Sequence, residues 1–273
     1  MKPHEPIIPD FDRVAGAWQK WEPLLRPCYD SLNELLLNAA CIQNGDTVLD
    51  LGCGSGNFAI LEAGKVGKNG RVTGIDISHE RLAIARKSAN EMGLTNIEFQ
   101  QQDVETLSFR DQSFDSITAR FSLMFLKTPE KALDRIRRVL KPGRTFAACV
   151  WGSAEKNPLP RKVFEQYVDL PDEDPQVPGP YRFGAAGILT EMIRKAGFQT
   201  TFEQESLVRE IFTNGRQYAD HLLESSGTWG GLLMKLQQKQ LEEAMQSLIE
   251  AAEQYRSGDH LAIPRCALII SAA

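Results

Sequence analysis

A glycine-rich loop directly follows an apolar run in the stretch "DTVLDLGCGSGNF". The loop has the spacing G-x-G-x-G, with its glycines at Gly52, Gly54 and Gly56. That spacing predicts a backbone that approaches a ligand closely. A dinucleotide-binding loop needs G-x-G-x-x-G, but Asn57 occupies the position of its third glycine. Asp50, which ends the apolar run, would repel a pyrophosphate and attract a cation. The loop therefore indicates a ligand with positive charge, and no phosphate, near this point.

Two further acids stand at the ends of the next predicted strands. Asp76 ends "VTGID", where a carboxylate accepts hydrogen bonds from vicinal ribose hydroxyls in nucleotide-binding folds. Asp103 follows "IEFQQQ" and could accept from an exocyclic amine of a flat base, with the amide of Val104 beside it. Because the carboxyl ends of parallel strands share one edge of a sheet, the three acids predict a ligand in the crevice at that edge.

The elements that must position these acids alternate between strands and helices. Short apolar runs bounded by turn residues predict strands at 47–51, 71–76, 97–102, 114–121 and 144–151. Apolar residues at helical spacing predict helices at 78–93 and 128–143. The second helix is expected to begin with Thr128 as N-cap and to end at Pro142 and Gly143. This alternation implies a parallel sheet with helices on both faces.

The chain changes character after Trp151. The segment "KNPLPRKVFEQYVDLPDEDPQVPGPY" carries six prolines in 26 residues, which excludes a sheet strand and predicts a surface loop with a short helix near the site. The predicted elements that follow are a helix at 187–197, a strand at 198–212, a helical block at about 215–257 and a strand at 266–270. The stretch from Trp229 to Tyr255 within that block reads as one amphipathic helix, which must cover something.

Composition excludes several classes of protein. The formal net charge of −5 gives no basic footprint for nucleic acid. The five cysteines are scattered without a C-x-x-C pair, which predicts no metal site and no disulfide framework and fits a reducing compartment. No window approaches the roughly 18 apolar residues of a membrane span, and the N-terminus has no signal core. We therefore expect a cytoplasmic protein without a membrane span.

Three stretches, "VLDLGCGSG", "VTGIDIS" and "QQDVETLSF", together resemble class I S-adenosylmethionine-dependent methyltransferases. The resemblance covers roughly residues 40 to 152, extends less specifically to the C-terminus, and is closest to small-molecule, quinone-biosynthesis-like members. It implies an α/β, Rossmann-like, seven-stranded and mostly parallel sheet with the last strand antiparallel and helices on both faces. The block at about 213–258 would then be a helical cap inserted near the C-terminus, between strands at 198–212 and 261–271.

The resemblance also implies a role for each matching residue, with S-adenosyl-L-methionine as cofactor. The three glycines would let the backbone approach the methionine moiety, with Asp50 near its ammonium group. Asp76 would hold the ribose and Ile77 would pack on adenine, whose edge Asp103 and Val104 would contact. Arg120 or Phe121 would border the methyl group.

The acceptor is expected to be a small, largely apolar or aromatic metabolite, methylated on O, N or C. The nucleic-acid signature of this fold is absent after the fourth strand, where the chain reads "TARFSLMF". The aromatic residues expected near a substrate are Trp18, Trp21, Tyr181, Phe183, Tyr218 and Trp229. His221 is the first candidate for a general base and His260 the second, if the acceptor needs one.

Two alternative functions remain open from the sequence. One is a non-catalytic S-adenosylmethionine-binding module, and the other is a nucleotide-dependent oxidoreductase, against which Asn57 and Asp50 argue. The expected division of the chain is an N-terminal helical segment, a cofactor-binding core, a proline-rich substrate-side loop and a C-terminal part of the core that carries the cap, at 1–44, 45–152, 153–186 and 187–273. The sequence does not indicate the oligomeric state.

Overall fold

The computed structural model describes residues 9–168, 170 and 174–273. The first eight residues of the expected N-terminal segment and residues 169 and 171–173 of the expected proline-rich loop therefore lie outside the described residues. The helices are α1 (Ala15–Ala39), α2 (Asn57–Val66), α3 (His79–Glu91), α4 (Pro129–Val139), α5 (Pro158–Phe164), α6 (Ile188–Lys195), α7 (Gly215–Ser225), α8 (Trp229–Leu233) and α9 (Gln238–Glu253). The strands are β1 (Thr47–Leu51), β2 (Arg71–Asp76), β3 (Ile97–Gln101), β4 (Phe114–Arg120), β5 (Leu140–Trp151), β6 (Thr200–Phe212), β7 (Arg256–Ser257) and β8 (His260–Ala272).

The strands form one sheet in the order β3-β2-β1-β4-β5-β8-β6, with the two-residue β7 paired to β8. Strands β1 to β5 pair in parallel, whereas β8 runs antiparallel to both β5 and β6. The predicted fold class, a mostly parallel sheet with an antiparallel last strand, is confirmed. The strand order reverses between β1 and β4, so a crevice opens beside the carboxyl end of β1.

Apolar layers cover both faces of the sheet. Alternate residues of β1 point to opposite faces, so Val48 packs against α1 and α2, whereas Leu49 and Leu51 pack in the layer that contains α4. Asp50 shares the face of Val48, which turns its carboxylate toward the side of the sheet that α1 covers.

The predicted end of the helix at 128–143 was wrong. Helix α4 ends at Val139 rather than at Pro142 and Gly143, and β5 begins at Leu140. The pairing with β4 then shifts register between Leu140 and Thr145, and Gly143 adopts a φ of 70° in the irregular part. Proline and glycine are tolerated there because the ladder is interrupted.

The amphipathic stretch predicted as one helix is two. Helix α8 ends at Leu233, and α9 begins at Gln238 behind a capping box between Gln237 and Gln240. The capping box satisfies backbone N–H groups at the start of α9, which explains why the chain restarts a helix here instead of continuing α8. Helices α7, α8 and α9 lie between β6 and β8 in the chain and pack against α1, α5 and β8.

Candidate functional site

A cavity of about 470 Å³ opens at the carboxyl ends of β1, β2 and β4. Its volume falls within the range of about 300–1,000 Å³ that is typical of small-molecule sites. Of the residues predicted to hold the cofactor, only Gly56 does not line this cavity. Those that line it are Asp50, Gly52, Gly54, Asp76, Ile77, Asp103, Val104, Arg120 and Phe121. Residues from α1, α7 and α8 complete its other end.

The glycine loop is held in place by β2. The backbone N–H groups of Gly52 and Cys53 both donate to the carbonyl of Ile75, at 2.8 and 2.9 Å. A Cβ atom on Gly52 would lie 2.5 Å from the Cβ of Ser122, and one on Gly54 would lie 3.0 Å from the guanidinium of Arg81. Both glycines have positive φ angles, of 70° and 56°. The packing against Ser122 therefore excludes a side chain at Gly52, and the positive φ favours glycine at both positions.

Gly56 has a different reason to be small. It adopts a φ of 81° at the N-cap of α2, and a Cβ atom there would lie 2.8 Å from the Cβ of Ala85 and 3.0 Å from the ring of Phe99. The structure thus places Gly56 against α3 and β3, outside the cavity that the other two glycines line.

The second and third strand-end acids organise the backbone around them. Asp76 accepts hydrogen bonds from the backbone N–H of Gly54 at 2.9 Å and of Ser78 at 2.8 Å, so it joins the glycine loop to the start of α3. Asp103 accepts from the N–H of Glu105 at 2.8 Å and so stabilises the turn that carries Val104. Both carboxylates also face the cavity, where their remaining lone pairs are available to a ligand.

Asp50 differs from these two because its carboxylate has no hydrogen-bond partner among the described residues. It is 1% exposed, and neither of its oxygens accepts a hydrogen bond from any described residue. The nearby hydroxyl of Thr118 instead donates to Glu62 at 2.6 Å. Burial raises the pKa of Asp50 to about 7, against the opposing effect of the Arg120 guanidinium. A buried, unpartnered carboxylate at this edge fits a cationic group of a ligand.

Two further titratable side chains, the buried Glu62 and the partly buried Arg120, lie near Asp50. Burial, followed by the charge of Asp50, raises the pKa of Glu62 well above its ordinary value. Burial lowers the pKa of Arg120, whose Nε has no partner among the described residues. The Arg120 guanidinium lies 5.4 Å from the ring centroid of Tyr29 and 5.1 Å from that of Phe121. Arg120 therefore stands between the acidic and the aromatic parts of the cavity.

The predicted substrate aromatics fall into two groups. Trp18, Tyr218 and Trp229 line the cavity. Trp21, Tyr181 and Phe183 do not, and each is buried elsewhere.

The three that are buried elsewhere have packing roles. The indole N–H of Trp21 donates to Glu224 at 2.8 Å. The ring of Tyr181 lies behind that of Trp229, with their centroids 6.2 Å apart. Phe183 belongs to the apolar layer on the opposite face of the sheet.

The two histidines proposed as bases occupy very different places. His221 lines the cavity at 7% exposure, with its Nδ1 2.9 Å from the hydroxyl of Ser225. Burial lowers its pKa to about 4, so the imidazole is neutral at neutral pH. His260 lies outside the cavity, partly exposed at the start of β8, with its Nδ1 3.0 Å from Asp259.

Sequence reasoning missed four residues that line the aromatic end, namely Tyr29, Trp151, Glu210 and Arg265. The ring of Trp151 stacks on Phe121 at 4.1 Å, and Arg265 lies 4.3 Å from the Trp151 centroid. Glu210 and Arg265 each occupy a strand position whose neighbours on the same face are apolar, with Val208 and Phe212 beside Glu210. A charge at a buried position of a period-2 pattern is the signal that would have found them.

An N-terminal segment, residues 9–14, closes one side of the cavity. Pro9, Phe11 and Val14 line it. The ring of Phe11 meets that of Phe125 edge-on at 5.5 Å, and Arg13 donates to the carbonyl of Ser226 at 3.2 Å. The segment therefore links the cofactor-side strand ends to the turn between α7 and α8.

None of the helices in the described part of the chain is both long and apolar enough to cross a membrane.

Comparison with known proteins gives consistent matches. A family model described as a methyltransferase domain matches residues 42–212. A protein named demethylmenaquinone methyltransferase from Listeria monocytogenes is 29% identical over 241 residues, which cover 77% of this chain and 94% of that protein. A ubiquinone/menaquinone biosynthesis C-methyltransferase, UbiE, from Klebsiella pneumoniae is 32% identical over 152 residues, covering 51% of this chain and 60% of that protein.

Solved structures show the same architecture. A SAM-dependent methyltransferase from Aquifex aeolicus superposes with a TM-score of 0.54 at 23% identity, covering 70% of this chain and 90% of that one.

Proposed function

We propose an acceptor class for this chain. The chain belongs to the methyltransferase domain family and is an S-adenosylmethionine-dependent methyltransferase. The family, the enzyme class and the cofactor predicted from the sequence are thereby confirmed, and the oxidoreductase and the non-catalytic module are set aside. The proposed acceptor is a small, largely apolar or aromatic metabolite, methylated on an O, N or C atom. The relative named demethylmenaquinone methyltransferase supports a ring-containing acceptor.

One observation carries the proposal. A single cavity joins three strand-end acids to an end lined by Tyr29, Trp151, Tyr218 and Trp229. The first half fits a cationic nucleoside, because the buried carboxylate of Asp50 has no partner among the described residues. The second half presents aromatic rings, which favour a flat or apolar body.

For the cofactor half we propose the roles that the family resemblance implies. Asp50 would pair with the ammonium group beside Gly52 and Gly54. Asp76 would accept from the ribose hydroxyls, and Ile77, Asp103 and Val104 would contact the adenine. When bound, S-adenosylmethionine supplies an electrophilic methyl group on a sulfonium. Arg120 and Phe121 would border that group and orient the acceptor, and fixing two reactants in line can contribute about 7–11 kcal/mol.

We propose no residue as the general base of the methyl transfer. A phenol or a carbon acid needs one more than an amine does. Since the pKa of His221 is lowered to about 4, this residue would accept a proton only weakly, although it lines the cavity. The position of His260 outside the cavity does not support a role in the reaction.

We also propose how the chain divides its work. Residues 45–152 would bind the cofactor, and the block at about 213–258 would act as a cap over the acceptor. The loop at 153–186 would support that cap. A small-molecule partner and a cytoplasmic location complete the proposal. The net charge of −5 supports a small molecule rather than nucleic acid, and the scattered cysteines support a reducing compartment.

Calorimetric titration with S-adenosylmethionine, its demethylated product and NADH, followed by an acceptor screen, tests the proposal. We expect micromolar binding of the first two, no binding of NADH, and methylation of one member of a set of phenols, quinones and amines. Folded protein that binds the cofactor but methylates only proteins or nucleic acids would refute the acceptor class. Folded protein that binds neither S-adenosylmethionine nor its product would refute the roles assigned to the cofactor half.

A further inference from the structure

The aromatic end of the cavity contains three buried polar side chains that come from three separate elements. Glu210 lies on β6, Tyr218 on α7 and Arg265 on β8, and all three line the cavity. They are at most 8% exposed. Burying a polar group costs free energy unless it forms hydrogen bonds, so each of these side chains is expected to have a hydrogen-bond partner in the protein or in a ligand.

Arg265 keeps a positive charge at this place. Burial lowers its pKa, but the carboxylate of Glu210 raises it further and leaves it above the ordinary value. Its guanidinium lies 4.3 Å from the centroid of the Trp151 ring, and its Nε donates to no residue that the structure describes. A guanidinium that stacks on an indole in this way has its edge free to donate to a ligand in the cavity.

Tyr218 is a neutral donor beside it. The side chain is 0% exposed, and its hydroxyl has no hydrogen-bond partner among the described residues. Burial raises the pKa of this phenol, so the hydroxyl keeps its proton. The ring packs edge-on against Phe212, with the ring centroids 5.3 Å apart, whereas the hydroxyl has no polar contact among the described residues.

Glu210 supplies the acceptor of the group. The hydroxyl of Tyr29 donates to one of its oxygens. The other charged or titratable groups that line this end are Arg120 and His221, and the latter is neutral at neutral pH because burial lowers its pKa to about 4. Glu210 and Arg265 therefore balance each other, and the end of the cavity offers donors and an acceptor side by side.

We propose that Glu210, Tyr218 and Arg265 form a specificity subsite for a hydroxyl group carried on a ring of the acceptor. This inference rests on the proposed function and narrows its acceptor class. A hydroxyl accepts hydrogen bonds from Tyr218 and Arg265 through its oxygen and donates its own proton to Glu210. An anionic carboxylate would meet the carboxylate of Glu210, and a cationic amine would meet Arg265, so each pays a repulsion that the hydroxyl avoids. The rings of Trp151 and Trp229 border the body of such an acceptor.

Binding of four matched probes to protein loaded with S-adenosylhomocysteine tests the subsite. The probes are 4-nitrophenol, 4-nitroanisole, 4-nitrobenzylamine, whose amine is cationic, and 4-nitrobenzoate, at a pH below the pKa of the nitrophenol. We expect 4-nitrophenol to bind about tenfold to a hundredfold more tightly than 4-nitroanisole, which cannot donate to Glu210, since one hydrogen bond to a charged group supplies a factor of about that size. We expect 4-nitrobenzoate to bind more weakly than 4-nitrophenol.

Two substitutions connect the preference to these residues. Tyr218→Phe is expected to weaken binding of 4-nitrophenol about threefold to tenfold, because it removes one neutral hydrogen bond to the ligand oxygen. It should leave the melting temperature of the empty protein unchanged or higher, because the lost hydroxyl has no hydrogen-bond partner among the described residues. Tyr167→Phe is the matched control, since the Tyr167 hydroxyl bonds to Ser247 and the residue does not line the cavity. Glu210→Gln leaves Arg265 unbalanced, so we expect binding of 4-nitrobenzoate to increase relative to 4-nitrophenol.

Three results would each overturn the subsite. They are equal binding of 4-nitrophenol and 4-nitroanisole, tighter binding of 4-nitrobenzoate or 4-nitrobenzylamine than of 4-nitrophenol by the unsubstituted protein, and an affinity for 4-nitrophenol that is unchanged in folded Tyr218→Phe. If Tyr218→Phe does not fold, the response of Glu210→Gln decides. Failure of the proposed function is distinguishable, because it would already appear as failure of S-adenosylhomocysteine to bind.

Discussion

At the scale of single residues, the surroundings of Asp50 change its charge state. Burial raises its pKa to about 7, whereas a carboxylate in an unfolded chain titrates near 3.9. A ligand ammonium binds the ionised form, so binding must remove the proton wherever the empty protein still holds it. We therefore expect the affinity for S-adenosylhomocysteine to rise up to about tenfold per pH unit from pH 5 to 7 and to level off above 7. Calorimetry at a series of pH values measures this.

Two variants separate Asp50 from the ligand's own amine, which stays protonated below about 7.7. Asp50→Asn should bind more weakly and lose the rise between pH 5 and 7. Glu62→Gln should keep the rise, because Glu62 does not line the cavity. A flat profile in the unsubstituted protein would show that Asp50 does not pair with the ammonium.

The site residues that could be predicted from the sequence are those that lie within a recognisable local sequence pattern. Asp50, Asp76 and Asp103 each end a strand within one recognisable stretch, so their shared edge follows from the parallel sheet alone. Glu210 and Arg265 come from β6 and β8. Only the antiparallel pairing of these two strands, with α1 and α7 packed against them, brings the two side chains to the same cavity as Tyr29 and Tyr218. Trp21, Tyr181 and Phe183 were placed near a substrate because they are aromatic, and aromatic side chains serve packing equally well.

At the scale of elements, Gly56 sets how closely α2, α3 and β3 pack. A Cβ atom there would lie 2.8 Å from that of Ala85, and its φ of 81° disfavours any other residue. We expect Gly56→Ala to lower the free energy of unfolding by about 1–3 kcal/mol, as overpacking of a core does. Urea denaturation measures the loss.

The matched control for Gly56 lies in the same helix. Gly64 of α2 has open space around its Cβ position, so Gly64→Ala should leave stability unchanged or raise it by about 0.5–1 kcal/mol. Equal stability of the two alanine variants would contradict the packing role given to Gly56.

Element boundaries were predictable where a side chain or a turn defines them locally. Strand β1 was predicted at its observed bounds because glycines end it. The ends of α4 and α8 were not, since a proline and a glycine can sit inside an interrupted strand ladder and a glutamine can cap a helix. The end of α4 depends on how β5 pairs with β4, which is distant in the chain. The end of α8 depends on a glutamine cap, and glutamine is a weak signal for a helix start.

At the scale of the whole molecule, the cavity is closed by parts that belong to opposite ends of the chain. Arg13 donates to the carbonyl of Ser226 at 3.2 Å, and Trp21 donates to Glu224 at 2.8 Å. Lys20 forms an ion pair with Glu224 at 2.6 Å. The Lys20–Glu224 pair is exposed, and ion pairs of this kind contribute only about 0–1 kcal/mol. The buried ring of Trp21, which packs edge-on against His221, adds apolar contact between α1 and α7.

Hydrogen exchange tests whether the proposed cap closes over the acceptor. Since Ser226, Gly227 and Thr228 line the cavity, an acceptor bound beside the cofactor would fix the turn and the helices on either side of it. We expect amides of α7, α8 and α9 to become more protected when S-adenosylhomocysteine and an acceptor are both present than with S-adenosylhomocysteine alone. Amides of α4, which packs on the other face of the sheet, should not change between those two states. Equal protection of α7 to α9 in the empty protein would mean that these helices are fixed core, and the acceptor would then have to enter past residues 9–14.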